Sequence, residues 1–172
     1  MLTDYHVHLR PDGPDTSPAE YFTAANAEAY RAAADARGIA ELGVSEHIYR
    51  FTDALKIWDN GLWREFAHDD VDAYCAFVRE ETDLRLGIEA DYIPGREDRV
   101  EAFLAAREWD YVVGSIHFVG EAYKHLKPIA AFGAGIGVGL LLATTMNSRS
   151  RTQRIAPPVI RALSEIAGEL FR

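Results

Sequence analysis

Two histidines lie one residue apart near the start of the chain, His6 and His8 in the segment DYHVH. In a β-strand, side chains at positions i and i+2 leave the same face, so both imidazoles would project to one side of a sheet. Imidazole is a common ligand for zinc, iron, manganese and nickel. Since a His-x-His pair also occurs by chance in loops, it predicts a metal site only if further ligands lie nearby in the fold.

Further side chains able to bind a metal occur later in the chain. His47, Glu89 and His117 each lie at or just after the end of a short apolar segment. Any one histidine has an ordinary structural explanation, because most are satisfied by hydrogen bonds. Here, however, four successive predicted strands each carry such a side chain at the carboxyl end, where parallel α/β sheets and barrels form their sites. The pattern predicts a site for more than one metal ion.

The segments that must position these side chains alternate between strands and helices. We predict strands over 1–7, 39–44, 84–90 and 111–113, and helices over 18–37, 69–81 and 97–108. Ser17 and Pro18 are typical of a helix start, and Gly38 of a helix end. Regular alternation of this kind predicts an α/β fold with parallel strands and right-handed crossovers.

Composition restricts the possible functions. With 172 residues, 48% of them hydrophobic, the chain can form an ordinary domain with a core. Its formal net charge of −9 argues against non-specific nucleic-acid binding. The single cysteine, Cys75, excludes an internal disulfide and a cysteine-based zinc site, and its apolar helical context predicts a buried, unreactive thiol. Polar residues interrupt any signal-peptide-like apolar run at the start, so we expect a reducing compartment, the cytoplasm.

Four segments together resemble a known family of metal-dependent phosphoesterases. They are DYHVH at 4–8, SEH at 45–47, GIEADYIPG at 87–95 and DYVVGSIH at 110–117. In order and spacing they are similar to the histidinol-phosphatase branch of the polymerase-and-histidinol-phosphatase (PHP) family. The resemblance covers residues 1 to about 120. It implies a distorted barrel of seven strands that holds up to three divalent ions, here as a partial PHP-type (β/α) barrel.

The resemblance also implies roles for individual residues. The implied metal ligands are His6, His8, Asp12, His47, Glu89 and His117, and Glu89 would bridge two ions. The ligand from the loop after the first motif is either Asp12 or Asp15. Asp12 is favoured because Gly13 follows it, although an aspartate there can also form a turn with its own backbone. Asp91 is expected to orient a ligand rather than to bind the metal.

The implied activity is hydrolysis of a phosphoric monoester, with histidinol phosphate, a small phosphorylated amine of histidine biosynthesis, as the expected substrate. Bound zinc, manganese or iron would neutralise the phosphate charge and lower the pKa of a water molecule. Arg10 and Arg50 either steady the phosphate or belong to the solvated surface. The aromatic residues of the loop 49–63 either shape a pocket or pack on neighbouring helices.

After Gly120 the resemblance stops, and the later ligands of the family have no counterpart, so we expect activity to be weakened or lost. Residues 121–172 are expected to form an unrelated tail, joined by fusion or frameshift. Its uncharged segment 128–148 is either a membrane-spanning helix or a buried apolar segment, and 159–171 is predicted to be an amphipathic helix. The alternative function is a non-catalytic, membrane-tethered metal-binding or interaction module. A partner chain that completes the barrel is a third possibility.

Overall fold

The computed structural model describes residues 1–12 and 16–117. The strands are β1 (Leu2–Asp4), β2 (Ile39–His47), β3 (Arg85–Asp91) and β4 (Tyr111–Ser115). The α-helices are α1 (Pro18–Tyr21), α2 (Ala24–Asp35), α3 (Gly61–Phe66), α4 (Val71–Glu81) and α5 (Glu97–Ala105), and two 3₁₀ helices span Ile48–Arg50 and Thr52–Lys56. None of the helices in these two ranges is long and apolar enough to span a bilayer. The predicted helices 128–148 and 159–171 lie outside the described residues.

The four strands form one sheet in the order β1-β2-β3-β4, and every neighbouring pair is parallel. This confirms the predicted α/β class and parallel pairing, and the sheet fits part of a barrel. In the register of β2 and β3, His47 lies opposite Glu89. In that of β3 and β4, Asp91 lies opposite Ser115. The carboxyl ends of the strands therefore carry their polar side chains side by side.

The predicted helix over 18–37 is wrong in one respect, because it is broken into α1 and α2. Thr23 caps the start of α2, and its hydroxyl oxygen accepts a hydrogen bond from the backbone N–H of Asn26 at 3.2 Å. Phe22, in the break, packs its ring 5.3 Å from that of Tyr74 and 5.8 Å from that of Phe77. A cap and an aromatic anchor thus outweigh the helical propensity of the surrounding alanines. Gly38 ends this region with φ of +71°, as predicted.

The aromatic loop is folded rather than open, since it contains both 3₁₀ helices and α3. Phe51, Trp58 and Trp63 are buried in the main core. The rings of Trp58 and Trp63 meet edge to face, with centroids 5.6 Å apart. Of the two interpretations of this loop, packing against neighbouring elements is the one that the structure shows for these three residues.

Cys75 lies in α4 and packs partly buried against the same core. Burial is the main cause that raises the pKa of its thiol to about 11, so the thiol stays protonated at neutral pH. This agrees with the predicted unreactive thiol. The helix itself begins two residues later than expected, at Val71 rather than at Asp69. Asp70 is its N-cap, and its carboxylate accepts from the backbone N–H groups of Asp72 and Ala73 at 2.8 and 3.0 Å.

A second, small cluster lies apart from the main core and consists of Tyr5, Tyr111 and Val113. The ring of Tyr111 extends from β4 across Gly87 on β3 to Gly43 on β2. A Cβ atom at Gly43 would lie 2.5 Å from the Tyr111 hydroxyl oxygen, and one at Gly87 would overlap the ring itself. The two glycines are therefore required by the close approach of an aromatic ring rather than by their backbone conformation.

Candidate metal centre

The carboxylate of Glu89 lies at the centre of a group of four imidazoles. Its oxygens are 3.2 Å from His6 Nε2, 3.4 Å from His8 Nε2, 2.7 Å from His47 Nδ1 and 3.5 Å from His117 Nε2. Glu89 is only 2% exposed, whereas the side chains of His6 and His117 are 45% and 41% exposed. The Glu89 carboxylate is therefore buried, whereas the side of the group that contains His6 and His117 is open to solvent.

Each of these side chains is placed by the end of a strand. His47 ends β2 opposite Glu89 in the parallel register, and His117 follows β4 by two residues. β1 ends at Asp4, but the chain continues beside β2, because the backbone N–H of Ser45 donates to the carbonyl of Val7 at 2.9 Å. The i, i+2 spacing of the first two histidines still brings both to the same carboxylate, although they lie just beyond the strand.

The side chains form two groups that share Glu89, one with His6 and His8 and the other with His47 and His117. Within each group the possible ligand atoms lie within 4.8 Å of one another. Two ligand atoms bound to one zinc-like ion at about 2.1 Å and a tetrahedral angle lie roughly 3.4 Å apart. Three of the four distances from imidazole nitrogen to Glu89 oxygen, at 3.2, 3.4 and 3.5 Å, match this spacing. These groups could hold a metal ion.

The buried atoms of the centre suit a bound cation. Glu89 Oε2 and His47 Nδ1 are buried and 2.7 Å apart, yet neither has a hydrogen bond of acceptable geometry within the described part of the chain. A carboxylate oxygen and an unprotonated imidazole nitrogen both present lone pairs, and a cation that contacts both would satisfy them. The donor set of imidazoles with one carboxylate therefore fits a divalent first-row metal.

The electrostatics of the centre differ from one side chain to the next. Burial alone would raise the pKa of Glu89, but the imidazoles of His47, His6 and His117 outweigh it and hold this pKa well below its usual range. Burial is also the main cause that lowers the pKa of His8 to about 3, and the neighbouring His47 adds to it. His8 is therefore neutral at pH 7, which is the form that binds metals.

Asp91 is buried next to the centre and contacts one of its imidazoles. Its Oδ1 lies 2.6 Å from His117 Nδ1, and Ser115 donates a longer hydrogen bond of 3.4 Å to the same oxygen. The charge of Asp91 is the main cause that raises the pKa of His117 to about 9. The contact fixes Nδ1 toward Asp91 and leaves Nε2 facing Glu89, as expected of a carboxylate that orients a metal ligand.

Asp12 is the predicted ligand that the structure does not bring to this centre. Its Oδ1 pairs with Arg50 Nη2 at 2.9 Å, and its side chain is 92% exposed. It belongs to neither of the two groups around Glu89. The ion pair with Arg50 supplies the physical reason, since it directs the carboxylate toward a guanidinium. Asp15, the other candidate from this loop, lies outside the described residues.

Arg10 and Arg50 are buried, so of the two interpretations given for them the solvated surface is wrong. Arg10 Nη1 donates to Asp69 Oδ2 at 2.9 Å and to the carbonyl of Phe66 at 3.0 Å. Arg50 Nη1 donates to Glu46 Oε2 at 2.5 Å. Sequence reasoning gave Glu46 and Asp69 no role, because an acid in an amphipathic or loop segment is usually exposed.

Tyr49 is a further residue near the centre that sequence reasoning assigned only to the aromatic loop. Its ring stacks on His47 with centroids 4.7 Å apart, and His47 in turn stacks on His8 at 4.3 Å. Burial is the main cause that raises the pKa of Tyr49 above its ordinary value, and the charge of Asp91 adds to it. Tyr49 therefore remains a protonated phenol beside the imidazoles. The signal that could have found it is its spacing, two residues after His47.

No model of a known protein family matches the chain. The probable histidinol-phosphatase of Deinococcus radiodurans is 33% identical over 127 residues, which cover 69% of this chain and 43% of that relative. The chain thus spans less than half the length of the curated relative that it matches. The match supports a histidinol-phosphatase-like relationship for this chain.

Proposed function

We propose that this chain forms the metal-binding part of a metal-dependent phosphoric monoester hydrolase of the histidinol-phosphatase type. The observation that carries the proposal is the buried Glu89 carboxylate shared by two groups of imidazoles. One divalent ion would be held by His6, His8 and Glu89, and a second by His47, Glu89 and His117. Zinc, manganese and iron are the candidate metals, because all three accept imidazole and carboxylate ligands.

The residues of the chain would contribute in different ways to such a reaction. Bound divalent ions supply charge neutralisation of the phosphate and a lowered pKa for a water molecule. His8, neutral at pH 7, offers a lone pair without first losing a proton. Asp91 holds the ring of His117 in one orientation. His6 and His117 lie on the solvent-exposed side of the centre, from which a phosphate group would approach.

The substrate class is proposed from the relative and from the resemblance of the motifs. The relative is named as a probable histidinol-phosphatase, so the first compound to test is histidinol phosphate. Because less than half of that relative is matched, the activity of this chain is tested separately from metal binding. A chain that binds the ions without releasing phosphate would be a metal-binding remnant rather than a hydrolase.

The experiment is metal analysis of the full 172-residue chain after equilibration with manganese, zinc or iron, followed by a phosphate-release assay with histidinol phosphate. We expect two ions per chain and metal-dependent release of phosphate. His47→Gln should lose one ion, whereas His68→Gln is a matched control, since His68 is exposed and belongs to neither group. Folded protein that binds none of the three metals would contradict the metal centre, and bound metal without phosphate release would contradict the hydrolase.

A further inference from the structure

We propose that Glu46 is a positioning residue that holds His6 and His8 in place for the first of the two ions. The inference rests on the proposed metal centre, and it concerns a residue that contacts no imidazole of that centre directly. Glu46 lies on β2, immediately before His47, and it is completely buried. Its carboxylate acts on the backbone that follows the first two histidines.

The first part of the argument is a pair of hydrogen bonds to the backbone. Glu46 Oε1 accepts from the N–H of Leu9 at 2.6 Å and from the N–H of Arg10 at 3.2 Å. Leu9 directly follows His8, so the carboxylate fixes the peptide that leaves the metal ligand. Leaving a buried N–H without an acceptor is costly, so this turn would move rather than leave two such groups unpaired.

Arg50 supplies the second part. Its Nη1 donates both to Glu46 Oε2 at 2.5 Å and to the carbonyl of Arg10 at 2.9 Å. The backbone of Arg10 is therefore held on both sides, its N–H by Glu46 and its carbonyl by Arg50. Charge-assisted bonds of this kind are shorter and stronger than bonds between neutral groups.

The third part is that regular strand pairing ends too early to hold these histidines. β1 stops at Asp4, two residues before His6. Beyond it, Ser45 donates from its N–H to the carbonyl of Val7 at 2.9 Å and from its hydroxyl to the carbonyl of Tyr5 at 3.2 Å. Ser45 thus aligns the segment before His8, and Glu46 aligns the segment after it.

The two ion-binding groups depend on Glu46 to different degrees. His47 and Glu89 lie opposite each other in the register of β2 and β3, and His117 is tied to Asp91. These three are held by strand pairing and by a separate carboxylate. Loss of the Glu46 contacts should therefore weaken the ion bound by His6, His8 and Glu89 much more than the ion bound by His47, Glu89 and His117.

The test is a Co²⁺ titration of the 172-residue chain, followed by calorimetry and by the visible absorption of bound Co²⁺. The double variant Glu46→Leu with Arg50→Met removes both partners of a buried ion pair, an exchange that folded proteins often tolerate. We expect one site to keep its affinity and the other to weaken by about 10- to 100-fold, the usual effect of losing a group that orients a metal ligand. Glu46→Gln, which keeps an oxygen acceptor for the two N–H groups, should lose less.

Asp69→Asn is the matched control, because Asp69 is equally buried and pairs with an arginine but contacts neither N–H group of the turn. It should lower stability and keep both ions. If the double variant does not fold, Glu46→Asp takes its place, since the shorter side chain withdraws the carboxylate from both amides. Wild-type affinity at both sites, or equal loss at both, would overturn the role of Glu46. A wild-type chain that binds no Co²⁺ would instead overturn the metal centre itself.

Discussion

Two buried carboxylates lie on neighbouring strands at the same end of the sheet, and their surroundings are opposite. Glu46 accepts two backbone N–H groups and a guanidinium. Glu89 is surrounded by imidazoles, and its Oε2 has no hydrogen bond of acceptable geometry among the described residues. In the β2–β3 register Glu46 pairs with Ile88 and His47 with Glu89, so the two carboxylates leave opposite faces of the sheet.

The difference separates a carboxylate that stabilises the fold from one suited to bind a cation. Burying an ionised group costs several kcal/mol unless partners compensate for it. Arg50 and two backbone amides offset part of that cost for Glu46, while burial still raises the pKa of its carboxyl above the ordinary value. Glu89 is compensated by imidazoles, which hold its pKa well below the usual range, and His117 is charged at pH 7 because Asp91 raises its pKa to about 9. His8 is neutral, because burial lowers its pKa to about 3, so it offers a lone pair to a cation.

The largest effect is expected from Glu89→Gln, because both ion-binding groups lose their shared carboxylate. We expect the affinity for manganese or zinc to fall by about 100-fold or more, beyond the usual effect of losing a group that only orients a ligand. Calorimetric titration of folded protein measures this. If Glu89→Gln binds two ions as tightly as the wild-type chain, Glu89 is not the carboxylate that the two ions share.

The next effect concerns the buried ion pair between Arg10 and Asp69. Asp69→Asn leaves the guanidinium of Arg10 buried without its charged partner, and it also weakens the contact with the Tyr21 hydroxyl. Removing one member of a buried pair typically costs about 3–5 kcal/mol in the free energy of unfolding. Urea denaturation measures the loss. A change below about 1 kcal/mol, the level of an exposed pair, would contradict the structural role of this network.

A smaller effect, confined to one ion, is expected from Asp91→Asn. The amide cannot stabilise His117 as the carboxylate does, so the ion bound by His47, Glu89 and His117 should weaken by about 10-fold, at the low end for such groups. The ion bound by His6 and His8 serves as the internal control. Equal weakening of both ions in a calorimetric titration would show that Asp91 acts on the fold rather than on His117.

The smallest effect is expected for an ion pair that is exposed to solvent. Arg31 and Asp35 form an i, i+4 ion pair on α2, with Asp35 Oδ1 3.1 Å from Arg31 Nη2 and the Asp35 side chain 65% exposed. Asp35→Asn should change the free energy of unfolding by only about 0.3–0.5 kcal/mol in urea denaturation. A loss as large as that of Asp69→Asn would mean that burial is not what distinguishes these pairs.

The sequence alone predicts most of the strands and helices. It also predicts that five side chains converge, those of His6, His8, His47, Glu89 and His117. Short apolar segments predict β2, β3 and β4, and apolar residues at helical spacing predict α4, each to within a few residues, because these signals are local. Parallel order then brings His47, Glu89 and His117 to one edge, since the carboxyl ends of parallel strands lie together.

The rest depends on contacts between residues far apart in the chain. The ion pair that holds Asp12 joins it to Arg50, 38 positions away, and no local pattern around Asp12 shows this partner. Glu46 contacts amides 36 and 37 positions before it. Likewise, the break between α1 and α2 reflects the packing of Phe22 on α4, which overrides the alanine-rich propensity of the segment.

The ring of Tyr111 that crosses Gly87 and reaches Gly43 links three positions on three strands into one steric unit. Alanine at either glycine would force the ring to move and so disturb its packing on Tyr5, whose ring centroid lies 5.0 Å from it. Natural variants of this chain should therefore change these positions together: a methyl group at 43 or 87 requires a smaller side chain at 111. Covariation of these sites would record a volume constraint on the sheet, independent of any selection for catalysis.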